Sequence, residues 1–272
     1  MRLTVPFRLV VRVAQRFHGE RLAQTAAALS FATLVGLVPM IGVAAALIDH
    51  LPFAAHIGAA LQKFLLANLL PEKAGAVIAK YLGQFAGRAG RMTVIGLGIL
   101  VLTALTQMLT IEHAFNAIWR IKSPRPLVRR LALHVLALLL GPLVFGGSLA
   151  AITYLVGISL GLVEEPRWVT IFLFRVIPFG FLTGLFALLY WKLPAKVVAG
   201  WQAIVGGLLA ATVFAGMHRL FGAYIVKIPT YTLVYGPFAA IPIFLVWLYL
   251  SWTVILVGAL VTAELAQLRR AS

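Results

Sequence analysis

The sequence predicts an all-α, polytopic membrane protein of six transmembrane helices with amphipathic helices on the membrane surface. Ile228 to Ala263 contains no Lys, Arg, Asp or Glu, and crossing a hydrocarbon core of about 30 Å takes only about 20 apolar residues. Hydrophobic residues make up 62% of the chain and charged ones 11%, whereas soluble domains carry about 25% charged. The remaining apolar runs are separated by short charged turns, a pattern that fits one membrane domain over residues 1–272.

The net charge is +16, from 23 basic residues against seven acidic. In a soluble protein that excess points to nucleic acid; here it points to anionic lipid headgroups, and no nucleic-acid partner is expected. The absence of cysteine removes disulfides, thiolate nucleophiles and Cys-ligated metals together. The first residues scatter arginines through apolar positions and have no uninterrupted apolar core, so they do not read as a cleavable signal peptide.

In chain order, residues 1–21 place Arg8, Arg12 and Arg16 four apart on one helical face, predicting a basic amphipathic helix on the membrane surface. The first span covers about 25–48, rich in small residues that let membrane helices approach, with Pro39 expected to kink it. Residues 49–91 carry apolar residues at helical spacing interrupted by Lys63, Glu72, Lys73 and Lys80. They read as extramembrane amphipathic helices, since each charge would cost roughly 2.5–3.5 kcal/mol at mid-bilayer.

The second span is 92–111, closed by Glu112. Thr103, Thr106, Gln107 and Thr110 form one polar stripe on it, either interhelical hydrogen-bond contacts or the lining of a cavity. A basic loop follows, whose Arg120, Lys122, Arg125, Arg129 and Arg130 are candidates for lipid-headgroup contact. The third span is 131–158, interrupted by Gly-Pro and Gly-Gly. The fourth is 168–191, with Trp at both ends and Arg175 inside, a residue that either snorkels to the outer interface or lines a substrate path. The fifth is 197–217, with Ala203, Gly207, Ala211 and Ala215 recurring every fourth residue as a candidate packing seam. The sixth is 238–263, started after Gly236-Pro237 because proline cannot continue a helix from its own amide.

Six crossings put both ends of this chain on one side. With that side cytoplasmic, 14 basic residues lie inside and eight outside, five of the eight in 49–91, with Arg175 intramembrane. The bias in the short loops sets both ends inside. Glu112-His113 and Asp49-His50 read as solvated pairs at span ends, and Glu264 as a local partner of Arg269 and Arg270.

The elements A-A-A-L-S-F-A-T-L-V-G-L-V-P, N-A-I-W-R, G-P-L, L-Y-W-K-L-P and Y-G-P-F-A-A-I-P-I-F-L-V-W-L-Y-L-S-W-T-V-I-L-V-G-A occur in that order. In them the chain resembles the YihY/BrkB family of bacterial inner-membrane proteins, over about Arg21 to Leu268. The resemblance implies a six-span protein of the cell inner membrane, with a family name tied to virulence, and brings no established biochemical activity. The family often has an acidic residue after the Phe of span five; here Phe214 is followed by Ala215.

The family's older label as ribonuclease BN can be tested on the residues. Metal-dependent phosphodiester cleavage gathers carboxylates or histidines around one or two cations. The seven acids, Glu20, Asp49, Glu72, Glu112, Glu164, Glu165 and Glu264, are dispersed in sequence and fall on both sides of the predicted membrane. No metal-ligand spacing, P-loop or dinucleotide turn occurs, so no catalytic residue, metal or cofactor is expected and the chain reads as a non-enzyme. Two functions remain open. One is a permease or channel for a small solute or lipid, argued from the polar stripe, Arg175 and the span prolines. The other is a non-transporting envelope protein organising lipid or partner proteins. Membrane lipids are the expected partners, with homo-oligomers left open.

Overall fold

The structure, a computed structural model, describes residues 5–48, 94–121, 176–227 and 240–268 and isolated positions between 126 and 135. Everything regular among the described residues is helical. The helices are α1 (Val5–Gly19), α2 (Leu22–Ile48), α3 (Val94–Ile118), α4 (Ile177–Lys192), α5 (Gly200–Lys227) and α6 (Ala240–Leu268). The predicted segment 49–91, most of the predicted third span, and Lys122, Arg125, Arg129 and Arg175 lie outside the described residues, as do the side chains of α2 beyond Gly36.

α6 is the helix around which the others gather: it packs against α1, α2, α3, α4 and α5, while α2 pairs with α3 and α4 with α5. Its sequence explains this. An amphipathic helix packs along one stripe, but α6 is apolar on every side and can pack on each; every residue from Gly258 to Glu264 is buried, while Ile241 and Val246 nearer its start are exposed. Aromatic rings carry the core across the bundle, Trp119 and Phe115 on α3, Tyr190 and Phe186 on α4, Phe214 on α5 and Trp247 on α6, with successive centroids 5.5–6.4 Å apart. Offset and edge-on arrangements in that range are the favourable ones for ring quadrupoles. The Tyr190 hydroxyl donates to the Ile255 carbonyl (2.9 Å) and the Trp252 indole to Thr33 Oγ1 (2.9 Å), so both polar tips find partners.

Close approach relies on small residues. A Cβ at Gly207 would stand 2.7 Å from the Ala187 amide nitrogen and 2.8 Å from the Thr183 carbonyl oxygen, both α4 backbone. Gly206 faces the Thr262 hydroxyl, and Gly258 faces the Tyr190 hydroxyl and Ala210. Ala203 and Ala211 are buried, and Ala215 is half-buried.

The boundaries differ from the sequence expectation mainly at one end. α3 continues past Glu112 to Ile118, and α6 past Ala263 to Leu268. Both predicted spans ended where an acid appears, yet Glu112 and Glu264 are only 1% and 2% exposed. Paired with arginine, each acid sits inside its helix instead of ending it. α5 starts at Gly200, not Val197, and runs on to Lys227. Gln202 caps its start by accepting from the Ala199 amide (3.3 Å), one half of a capping box. Phe221, packed against Trp247 at 5.2 Å, keeps an apolar face going beyond the predicted end. α5 over Gly200–Tyr224 and α6 over Ile241–Gln267 are long and apolar enough to cross a bilayer.

Candidate functional site

The polar chemistry of the described residues collects at one end of the bundle, where α1, α3 and α6 finish, α2 begins and the α4–α5 link turns. Two left-handed residues shape this end. Arg21, at φ 52°, forms the elbow between α1 and α2, and Arg120, also at φ 52°, closes α3. At the latter, the Arg120 amide donates to the Ala117 carbonyl (2.9 Å) and the Ile121 amide to the Asn116 carbonyl (3.0 Å). That is the Schellman closure, usually given to glycine because a Cβ disfavours positive φ by roughly 1–2 kcal/mol.

Arg16 is the hub. Its Nη1 donates to Glu264 Oε1 on α6 (2.7 Å), its Nε to Glu20 Oε1 (2.9 Å), and its Nη2 to Glu20 Oε2 (3.1 Å) and to the Ile118 carbonyl at the end of α3 (2.7 Å). One guanidinium thus ties together three elements distant in sequence, a task suited to a planar group with five donors. Arg120 reaches Glu20 Oε1 through Nη2 (2.8 Å) and Nε (3.2 Å), and Arg12 stands 4.0 Å from Glu264. Burial opposes the charge on Arg16, but hydrogen bonds and attraction from Glu20 and Glu264 outweigh it and hold the proton more firmly than on a free arginine. Burial alone would raise the Glu20 carboxyl; the bonds from Arg16 and Arg120 outweigh that and hold it below the usual carboxylate range.

A second junction adjoins the first. Glu112 accepts from Arg130 Nε (3.2 Å) and from Asn116 Nδ2 (3.3 Å), while Asn116 Oδ1 accepts from the Ala195 amide in the α4–α5 link (3.0 Å). Between the α1–α2 elbow and the last turns of α3 lies an open cavity of about 400 Å³. Leu22, Ala114, Ala117 and Ile118 give it an apolar lining, and Glu20, Thr25 and Arg120 give it a polar one.

Several sequence expectations change here. Glu112 is not a solvated partner of His113; it is buried and paired with Arg130, and only His113 faces outward. Arg130, a candidate headgroup contact, is 7% exposed and turned to Glu112, because a buried carboxylate needs that charge more than a lipid surface does. Glu264 pairs with Arg16 of α1, while Arg269 and Arg270 lie outside the described residues. Arg16 turns inward, so the arginine face of α1 is shared between the protein and its surroundings: Arg8 stays exposed. Acids that looked dispersed, Glu20, Glu112 and Glu264, stand at one end.

The stripe on α3 is divided. The hydroxyls of Thr103, Thr106 and Thr110 each donate to the carbonyl four residues back (2.8, 2.9 and 3.0 Å), with Thr106 and Thr110 exposed. Gln107 lies over α2, where a Cβ at Gly36 would stand 2.5 Å from its Cγ. Among the described residues no group of three His, Asp or Glu side chains is placed to hold a metal ion.

Sequence reasoning missed the Arg16–Glu264 and Glu112–Arg130 pairs. The six-span expectation held a usable signal: it puts the residues preceding the first span, ending the second and ending the sixth on one side.

Residues 13–272 match the family described as Virulence factor BrkB. The chain belongs to the BrkB family. It is 48% identical over 265 residues to a UPF0761 membrane protein of Aromatoleum aromaticum, covering 97% of this chain and 65% of that protein. A UPF0761 membrane protein of an Azoarcus species is 46% identical, covering 93% and 62%, and one of Azotobacter vinelandii is 39% identical, covering 94% and 62%. The chain thus spans less than two thirds of the length of these curated relatives. No solved structure matches it. Family and helices together make it a membrane protein.

Proposed function

We propose that this BrkB-family chain is a six-span protein of the bacterial inner membrane, both its ends cytoplasmic, working as a permease for a small solute or lipid. The observation that carries the reading is the Arg16–Glu264 pair, its carboxylate buried and its guanidinium part-buried, with the buried Glu112–Arg130 pair beside it. Replacing a buried ion pair by apolar residues is often neutral or stabilising, so such pairs are poorly explained by stability alone. Charges held out of water at the mouth of a membrane protein, where stability does not call for them, support a role in opening and closing. On this reading α1 is a clasp over the cytoplasmic mouth: breaking and remaking its bonds to α3 and α6 opens and closes the way. The carboxylates there are engaged by guanidinium groups, which favours a mechanical role over a catalytic one, and the basic surface serves lipid headgroups, not nucleic acid.

Proteoliposome flux tests this. Translocation of fluorescent phosphatidylglycerol and release of trapped labelled solutes should exceed protein-free vesicles and fall when Gln107 or Arg175 is changed to Ala. No flux of either kind from a well-folded preparation contradicts it. Orientation is tested on the cysteine-free background by Ser123→Cys, whose labelling from the periplasm would reverse the assignment.

The second reading, a non-transporting envelope protein that organises lipid or partner proteins, is favoured by one observation. α1 leaves Phe7 and Val10 51% and 65% exposed beside Arg8, a surface suited to lying in headgroups.

A further inference from the structure

We propose that the cavity between the α1–α2 elbow and the last turns of α3 binds the anionic headgroup of a membrane phospholipid. The inference rests on the reading above that this end of the bundle lies in the cytoplasmic headgroup layer.

The first argument is charge. Among the described residues Arg12, Arg16 and Arg120 pair with Glu20 and Glu264, three positive charges against two negative, and Arg21 adds a fourth arginine at the elbow itself. Arg16 is consumed by its carboxylates and by the Ile118 carbonyl, with a side chain only 11% exposed. Arg120 is different: its side chain is 65% exposed at the rim of the cavity, held there by the Schellman closure and by Glu20. A guanidinium so oriented can present remaining N–H donors to phosphate oxygens, the geometry at which arginine excels.

The second argument is shape and lining. About 400 Å³ is at the small end of pockets that take small molecules, about 300–1,000 Å³. It accepts a phosphate with its glycerol; acyl chains must stay outside. The surroundings suit that division. On α2, Phe31 and Val35, one turn apart, are 64% and 51% exposed. On α3 an exposed stripe of Leu102, Thr106, Thr110, His113 and Ala117 leads down one helical face into the cavity. Chains can lie along the apolar part while the phosphate meets Arg120 and the Thr25 hydroxyl. A free phosphate would gain nothing from the apolar lining, so the lipid is the occupant the site fits.

Native mass spectrometry of the detergent-solubilised chain, titrated with short-chain phosphatidylglycerol and phosphatidylcholine, reads the outcome. Phosphatidylglycerol should be retained at one per chain in preference to phosphatidylcholine. Arg120→Ala, and Ala117→Trp, which fills the cavity without changing charge, should each weaken that binding about tenfold, or about 1.4 kcal/mol. Arg8→Ala, on the exposed face of α1, should leave it unchanged, with circular dichroism confirming the fold of each variant. Equal binding by wild type and Ala117→Trp overturns the site. So does equal weakening by Arg8→Ala, which would mean diffuse attraction, and so does displacement of the lipid by inorganic phosphate, which would make this a free-anion site. Failure of the flux assay leaves these outcomes readable, because none of them requires transport.

Discussion

Arg16→Ala is the sharpest probe of the clasp. The substitution removes the guanidinium that Glu264 meets at 2.7 Å and leaves that carboxylate, 2% exposed, with Arg12 at 4.0 Å. Glu20 suffers less, because Arg120 still donates to it at 2.8 Å. Removing one partner of a buried pair costs about 3–5 kcal/mol, chiefly through the charge left behind. The Arg12 side chain is 49% exposed and free to swing inward, so the expectation sits at the lower end of that range. Glu264→Ala should cost less, since Arg16 keeps Glu20 and the Ile118 carbonyl. The double replacement Arg16→Met with Glu264→Leu should lie within about 1 kcal/mol of wild type, because neither charge remains to be stranded. Reversible unfolding in mixed micelles, followed by circular dichroism, gives the free energies; limited proteolysis of α1 reports whether the clasp has let go. An Arg16→Ala variant within about 0.5 kcal/mol of wild type, the range of ordinary surface changes, would refute the reasoning. So would a double variant as unstable as the single.

The remaining predictions concern packing and pH. Gly207→Val would press a branched side chain onto α4 backbone 2.7 Å away, which cannot rotate aside as a side chain could; we expect a loss of about 2 kcal/mol or more, measured in the same micelles, whereas Gly216→Ala, with nothing within 4 Å, should bring no loss. The Glu20 carboxyl is held below its ordinary range in the folded chain, so its contribution is present above that range and lost as pH falls through the folded value. Protease sensitivity of the α1–α2 elbow should therefore rise on acidification, and Glu20→Gln should abolish that component.

Much of the fold was legible because lipid is an undemanding reader of sequence. A run such as Ile228 to Ala263 has few structures open to it in a bilayer, since backbone groups must be satisfied within the segment. Charged residues then mark where turns are expected, and a six-span reading would put both ends on one side. The small residues of α5 were visible for the same reason: every fourth position shares a face. What misled was treating an acid as a full stop. Glu112 and Glu264 looked like span ends because an unpaired carboxylate cannot enter an apolar core, and the arginines they meet, Arg130 and Arg16, lie 18 and 248 residues away.

Read alone, the residues established the helical class, the membrane setting and the family. The first two follow from the cost of placing a given side chain or backbone group in hydrocarbon, a local quantity. That Arg16 turns inward to Glu264, 248 residues away, that Arg130 answers Glu112, and that an open cavity lies beside the elbow emerged only from the folded chain. Pairing depends on which helix faces meet, a property of surfaces and not of any one stretch of chain; Gly206, Gly207 and Gly258 show such a fit where α4, α5 and α6 meet.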